Sequence, residues 1–285
     1  MTAAMACFIS NDALVKLVSA SLPTAQLIFV RGALTTLWLL LVVAASGQLG
    51  QWRRIATPSV WIRAAFDTAA TFTYLTSLFH LPIGNATAIN LAAPLFLTLF
   101  AVLLLGERVS AGRWALIWLG FIGVLLVVQP SAEGLNGYAL LCVLATLFHA
   151  GRDLMTRQVP AEVPSLLITL ATAALVTVIS GLWTAGTADW TPVSDTSWWR
   201  LGAASVCLAG AYHLLTLSMR AGDMSVIGPF RYSGLLVALV LGYLVWGDVP
   251  NVLAWAGIAL LVASGLGLLL SERARARAAL DAAVD

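Results

Sequence analysis

The sequence predicts an all-α membrane protein of ten transmembrane helices, arranged as two inverted five-helix repeats. Three observations predict it: a scarcity of charge, the number of apolar runs, and a repeat of rare residue types. Of the 285 residues, 60% are hydrophobic and only 10% are charged, against roughly 25% charged in an ordinary soluble domain. A membrane helix needs about 20 apolar residues, so ten use roughly 200 positions and leave about 85 for connections and tails. This composition excludes secreted disulfide scaffolds, disordered chains and basic nucleic-acid binders. The net charge of +2 attracts no particular partner.

Apolar runs broken by Gly, Pro and charged clusters place spans at 3–21, 24–46, 59–80, 83–105, 112–129, 137–158, 163–186, 197–219, 224–246 and 251–270. The start, MTAAMACFISNDALVK, has no positive n-region and no cleavage site, so it reads as the first span and not as a signal peptide. Leu22–Pro23 joins the first span to the second, and Leu81–Pro82 joins the third to the fourth. Connections that short make antiparallel neighbours. The third span carries Arg63, Asp67, Thr71 and Tyr74 at helical spacing, and the fourth carries Thr87, Asn90, Pro94 and Thr98. In the sixth, Cys142, Thr146, His149 and Asp153 share a face, with Arg152 beside them. The eighth offers Ser205, Tyr212 and Thr216; the ninth offers Arg231 and Tyr232 just after Gly228–Pro229. Lipid does not tolerate such stripes, so they are expected to meet around a central cavity. Pro94 and Pro229 interrupt apolar spans and mark the fourth and ninth as moving elements. Gly120, Gly123, Gly257, Gly265 and Gly267 instead give the fifth and tenth small-residue packing faces suited to a scaffold. Cys7, Cys142 and Cys207 fall inside apolar runs without metal-like spacing and read as small hydrophobes. The tail SERARARAALDAAVD reads as a partly helical, water-exposed extension.

A shift of 141 residues superposes rare residues without a gap. Asp12 falls on Asp153, Lys16 on Arg157 and Pro23 on Pro164. Gly106–Glu107 falls on Gly247–Asp248, and Trp114 on Trp255. The chain therefore divides into a first repeat over 1–136, a second over 137–270, and a tail over 271–285. Five spans per repeat is an odd number, so the second half enters the membrane from the opposite side. Inverted repeats of this kind suit carriers, since exchanging the conformations of the halves turns an outward-facing cavity inward.

With both termini cytoplasmic, the cytoplasmic connections, their flanks and the tail hold Arg53, Arg54, Arg63, Arg108, Arg113, Arg157, Arg220, Arg273, Arg275 and Arg277. The other side holds Glu133, Asp189, Asp195 and Asp248, with Arg200 as its cation. That bias is the positive-inside pattern. Trp190, Trp198 and Trp199 then anchor the outer interface.

Pro94–Leu95 is followed by LLLGERVSAGRWALIWLGFIGVLLV, and a second copy reads YLVWGDVPNVLAWAGIALLVASGLG. On these residues the chain resembles the ten-helix drug/metabolite transporter superfamily, specifically its EamA-type metabolite exporters. Within that superfamily the chain looks most like exporters of amino acids, aromatic ones among them. The resemblance implies a bacterial inner-membrane exporter. The copies differ: Leu235 stands where the first half has Pro94, and Asp248–Val249 replaces Glu107–Arg108, so the halves need not bend alike.

A charge at mid-bilayer costs about 2.5–3.5 kcal/mol or more, so each one needs a partner, water or a function. Asp12 and Lys16, four apart with the acid first, suit an intrahelical ion pair, and Asp153 and Arg157 repeat it. Lys16 is the only lysine in the chain. These two pairs, with Pro94 and Pro229, are the candidate gating residues. The candidate substrate-binding residues are Phe8, Asp12, Asp67, Tyr74, Asn90, His149, Arg152, Tyr212, Phe230, Arg231 and Tyr232. Arg231 or Arg152 matches a carboxylate, Asp12 or Asp67 an ammonium, and the rings an apolar or aromatic side chain. A zwitterion with a large side chain satisfies all three, so the expected function is a secondary carrier exporting amino acids of that kind. The alternatives are a passive channel or scramblase-like pathway, or a carrier for another small metabolite or drug. The expected partners are a small-molecule substrate and the bilayer, with a functional monomer. Nothing calls for nucleic acid, cofactor, metal or catalytic residues: G-x-S-x-G, H-E-x-x-H and P-loop patterns are absent. Asp12, Asp67, Asp153 and His149 suit proton carriers or fixed ion-pair members, and the expectation is facilitated diffusion with no dedicated proton site.

Overall fold

Proline punctuation sets the helix register. A residue before proline is pushed out of the α region, so Leu22 and Leu81 cannot prolong a helix, and Pro23 and Pro82 cap the ones that follow. The computed structural model describes residues 1–105, 110–129, 136–156, 158–187, 189–221 and 228–284. Among them are eleven α-helices and two 3-10 segments. The first half holds α1 (Thr2–Val18), α2 (Thr24–Ala45), a 3-10 segment (Gln48–Ala56), α3 (Pro58–Leu78), α4 (Ile83–Asn90), α5 (Ala93–Leu105) and α6 (Ala111–Val128). The second holds α7 (Gly137–Thr156), α8 (Ser165–Thr187), α9 (Asp195–Ala221), a 3-10 turn (Gly228–Tyr232), α10 (Ser233–Trp246) and α11 (Val252–Val284). Arg157 lies outside the described residues, as do Gly106–Glu107 and the side chain of Pro229. The tail continues α11 as helix as far as Val284.

The fourth span is two helices, α4 and α5, and the break falls at Leu91–Ala92, before Pro94. Pro94 sits in the first turn of α5, where its missing N–H costs nothing. The break is closed by tight bonds, Ala92 N–H to the Ile89 carbonyl (3.0 Å) and Leu95 N–H to the Ala92 carbonyl (2.9 Å). In the second half, 3-10 turn gives way to α10 at Tyr232–Ser233, the same place after the 141-residue shift. The two halves therefore break alike although Leu235 replaces the proline.

Helix pairing shows the inverted repeat directly. Helix α3 packs on α7 and α1 on α9; α2 packs on α9 and α3 on α8; α5 and α4 pack on α7, and α1 on α10. Counting α4–α5 as one span, and the 3-10 turn with α10 as another, each of these contacts maps onto a second when the halves are exchanged. Three contacts map onto themselves and mark the pseudo-two-fold axis: α2 with α8, α4 with α10, and α6 with α11. Thr36 and Thr177, counterparts under the shift, are hydrogen-bonded across that axis at 3.1 Å. At α6–α11 the backbones touch, and a Cβ on Gly257 would lie 2.6 Å from the Gly123 carbonyl oxygen. Small residues permit this approach, and Ser264 Oγ adds a bond to the Leu116 carbonyl at 2.6 Å.

The outer surface is apolar. Leu37, Leu40 and Leu41 on α2, Trp118 on α6, Leu182 on α8 and Leu244 on α10 are all exposed. Six helical segments among the described residues are long and apolar enough to cross a membrane. Inside, by contrast, are Asn11, Gln26, Arg31, Asp67 and Thr146, all buried. A surface greasier than parts of the interior fits lipid as the surrounding solvent. Trp190, Trp198 and Trp199 are exposed at or near the start of α9.

One expected contact is absent. No ion pair within 4.0 Å joins Asp12 to Lys16 among the described residues. Asp12 turns to the bundle interior, while Lys16, one turn on, reaches the Leu81 carbonyl and the Trp246 ring. Cross-helix partners outcompete the neighbour four residues away.

Candidate functional site

Two sequence-adjacent pairs start the site, and they are counterparts under the repeat. On α1, Asn11 Nδ2 donates to Asp12 Oδ1 at 3.0 Å. On α7, Arg152 Nε donates to Asp153 Oδ1 at 3.0 Å. Around the first pair, the Tyr74 hydroxyl donates to Asp12 Oδ2 (3.2 Å) and Arg31 approaches Asn11 Oδ1 (3.5 Å). Around the second, Arg152 Nη1 holds Asp67 at 3.0 Å, and Arg231 stands 4.0 Å from Asp153 Oδ2. Arg63 lies 4.0 Å from the other oxygen of Asp67, braced by bonds of 2.9 Å to Thr156 and Thr172. Thus α3 threads both groups, with Arg63 and Asp67 at one level and Tyr74 at the other.

Rings join the two groups. His149 packs edge-on against Tyr74 with centroids 5.9 Å apart, and its Nδ1 donates to Asn90 Oδ1 at 2.7 Å. Phe8 and Tyr212 form a T-shaped pair at 5.3 Å, which brings α9 against α1. Tyr212 is within electrostatic reach of Arg31, Arg63, Arg152 and Asp67. The cluster so assembled carries four arginines and three aspartates.

Exposure tells what the space is for. The Asp153 side chain is 25% exposed and Arg231 29%, although both lie between helices. Asp67, at 3%, is sealed beneath them. Partial exposure on one side of the cluster fits access from water, because an unwetted charge there would need complete pairing. Two buried polar atoms at its walls, Asp67 Oδ2 and Arg31 Nε, have no hydrogen-bond partner among the described residues. Such orphan atoms are costly unless a ligand or water meets them.

Of the residues expected from sequence, Phe8, Asp12, Asp67, Tyr74, Asn90, His149, Arg152, Asp153, Tyr212 and Arg231 are brought together. Phe230 is not: its ring is 54% exposed. Tyr232 is buried against Gly265 of α11, and its hydroxyl has no partner among the described residues. Lys16 stands apart at the end of α1, and Pro94 serves the α4–α5 break. Three cluster members were missing from the expected set: Asn11, Arg31 and Arg63. Asn11 was findable, because the 141-residue shift places it on Arg152. Arg63 already belonged to the polar stripe of the third span, and Arg31 lies alone in an apolar run, itself a signal of function. Among the described residues no group of three or more His, Cys, Asp or Glu could hold a metal ion.

Known proteins place the chain. The EamA-like transporter family matches residues 1–129 and again residues 136–270. The pseudopaline exporter of Pseudomonas aeruginosa is 29% identical over 267 residues, covering 92% of each chain. A riboflavin transporter of Rhizobium johnstonii is 31% identical over 204 residues, covering 72% of this chain and 67% of that one. An S-adenosylmethionine uptake transporter of Rickettsia bellii is 24% identical over 270 residues, covering 93% and 90%. A crystal structure superposes with a TM-score of 0.68 at 19% identity, over 95% of this chain and 96% of that one, and so shares the fold. The names of these relatives do not include aromatic amino acids, and they cover both export and uptake. The chain belongs to the EamA-like transporter family and is an integral membrane transporter.

Proposed function

We propose that the protein is a secondary carrier that exports small zwitterions, amino acids with large or aromatic side chains foremost, by alternating access around the central cluster. The observation that carries this reading is the half-wet Asp67–Arg152–Asp153–Arg231 chain facing the Asp12–Tyr74 pair across a set of rings. Arg231, whose one ion pair among the described residues is a loose contact of 4.0 Å, is the arginine best placed to take a carboxylate. Asp12 and the orphan oxygen of Asp67 suit an ammonium group. Phe8, Tyr74 and Tyr212 supply apolar faces between them.

The inverted repeat supports alternating access, since each half can adopt the other's conformation with the site left in place. The arginine bias supports cytoplasmic termini in a bacterial inner membrane. A fluorescent protein fused after residue 285 should fluoresce, as cytoplasmic fusions do; a dark, translocated fusion would reverse the orientation. Boundaries at 136–137 and 270–271 follow from the same reading.

The relatives named for riboflavin and S-adenosylmethionine favour a second reading, a carrier for a larger heteroaromatic metabolite. One experiment separates them. Purified protein in liposomes is screened for saturable flux of the standard amino acids, riboflavin and S-adenosylmethionine. Saturable flux of a large-side-chain amino acid is expected. Flux confined to the other two compounds would replace the amino-acid reading, and non-saturating leak of every solute would replace the carrier.

A further inference from the structure

Away from the central cluster, a cavity of about 320 Å³ opens on the face where α1 ends. It lies between the α3–α4 connection, the end of α6, the start of α7 and the α10–α11 connection. Its size is at the lower end for small-molecule sites, roughly 300–1,000 Å³. Apolar walls come from Ile89, Val127, Ala139 and Leu239.

Among the described residues this cavity offers three acceptors that no side chain or backbone donor engages, beside the amide NH2 groups of Asn85 and Asn136. Asn85, in the first turn of α4, presents a buried Oδ1 with no hydrogen-bond partner among the described residues. His80 donates from Nδ1 to the Thr76 carbonyl at 2.9 Å, which makes Nε2 the lone-pair nitrogen whenever the ring is neutral. Stacking on Tyr138, with centroids 3.8 Å apart and planes 2° from parallel, fixes the ring. Asp248 supplies the one formal charge among the lining residues, and no ion pair within 4.0 Å engages it among the described residues. The amides of Gln129 and Asn251 satisfy each other through bonds of 2.6 and 2.7 Å, bracing the α10–α11 connection against α6.

A preformed recess with three unspent acceptors, one of them anionic, wants a group that only donates. A metal ion is disfavoured, since one imidazole and one carboxylate fall short of a metal-ligand group. An alkyl ammonium offers three N–H donors, one positive charge and an apolar stem. We propose that this cavity is a second, vestibular binding site for the ammonium group of an organic amine, with Asp248, Asn85 and His80 as its acceptors. Under the proposed orientation it lies on the exit side, where an exported zwitterion would pause by its amino end.

Lys16 makes the site more than a dent. Its ammonium is held by the carbonyl of Leu81, itself a lining residue, and lies 5.2 Å from the Trp246 ring. Asp248 is within its electrostatic reach. A ligand ammonium arriving at Asp248 thus meets the field of Lys16 beside it, and the two cations compete for that carboxylate.

The test uses the full-length protein in nanodiscs and calorimetric titration with three probes: phenethylamine, 3-phenylpropionate and phenylalanine. Phenethylamine, which lacks a carboxylate, is expected to bind. Asp248→Asn and Asn85→Leu should each weaken it about tenfold or more, whereas Asp189→Asn, outside the cavity lining, should not. Lys16→Met should tighten it by removing the competing cation. Undiminished phenethylamine binding in both Asp248→Asn and Asn85→Leu would overturn the proposal, as would equal binding of 3-phenylpropionate lost in the same variants. The site's role as a station for cargo rests on the zwitterion reading. That reading fails separately, if no amino acid crosses the liposome membrane while phenethylamine still binds.

Discussion

Removing Asp67 and Arg152 singly and together probes whether the central cluster is a coupled unit. Their contact is 3.0 Å, with Asp67 3% and Arg152 17% exposed. At an effective dielectric of about 20, a pair at that distance attracts by roughly 5.5 kcal/mol before desolvation is subtracted. Arg152→Met leaves the sealed Asp67 carboxylate with Arg63, at 4.0 Å, as its one ion-pair partner among the described residues. Stripping one member from a buried pair typically costs about 3–5 kcal/mol, and this variant is expected in that range. Asp67→Asn is expected at the lower end, about 3 kcal/mol, because Asp153 still holds Arg152 at 2.9 Å. The double variant leaves neither charge stranded, so its cost should fall short of the sum by about 1–3 kcal/mol. Reversible unfolding in mixed detergent micelles gives all four stabilities. Additivity within about 0.5 kcal/mol would refute the claim that the two residues share one desolvated contact.

Three further perturbations address the rest of the architecture. Gly257→Val drives a side chain into the Gly123 carbonyl and should destabilise by about 1–3 kcal/mol through overpacking; unfolding at wild-type denaturant would mean α6 and α11 do not touch there. Cysteines placed together at Thr36 and Thr177, whose hydroxyls are 3.1 Å apart, should crosslink on mild oxidation in native membranes; failure under conditions that link a surface control pair would displace the pseudo-two-fold axis. Lys16→Met keeps the apolar stem but loses the clamp on Leu81 and Trp246, and should change vesicle flux several-fold; unchanged flux would remove Lys16 from gating.

Most of the fold was legible because lipid punishes ambiguity. Apolar run lengths gave the spans, and the 141-residue shift of Asp12, Lys16, Pro23 and Trp114 gave the repeat. The break in the fourth span was misplaced by three residues, since Pro94 announces a helix start and the interruption precedes it. Ion pairing read poorly. Asp12 and Lys16 have ideal spacing on one helix, yet each finds a better partner across the bundle, and no one-dimensional spacing encodes that choice. Phe230 and Tyr232 failed for a related reason: a 3-10 turn of about 120 degrees per residue aims side chains two positions apart at different neighbours. Asn11 and Arg31 were visible as polar residues in apolar runs, but their partnership needed two helices side by side.

The hydrogen bond between Thr36 and its own counterpart Thr177 has a consequence for how such a chain can be divided. A contact between equivalent positions is what an antiparallel dimer of half-length chains would make at its axis. Covalent continuity between α6 and α7 is then a matter of stoichiometry, and two separately made halves carry the surfaces needed to find each other. What a severed half would lack is the joined chain's single address in the bilayer, because its direction of insertion would rest on its own few arginines alone.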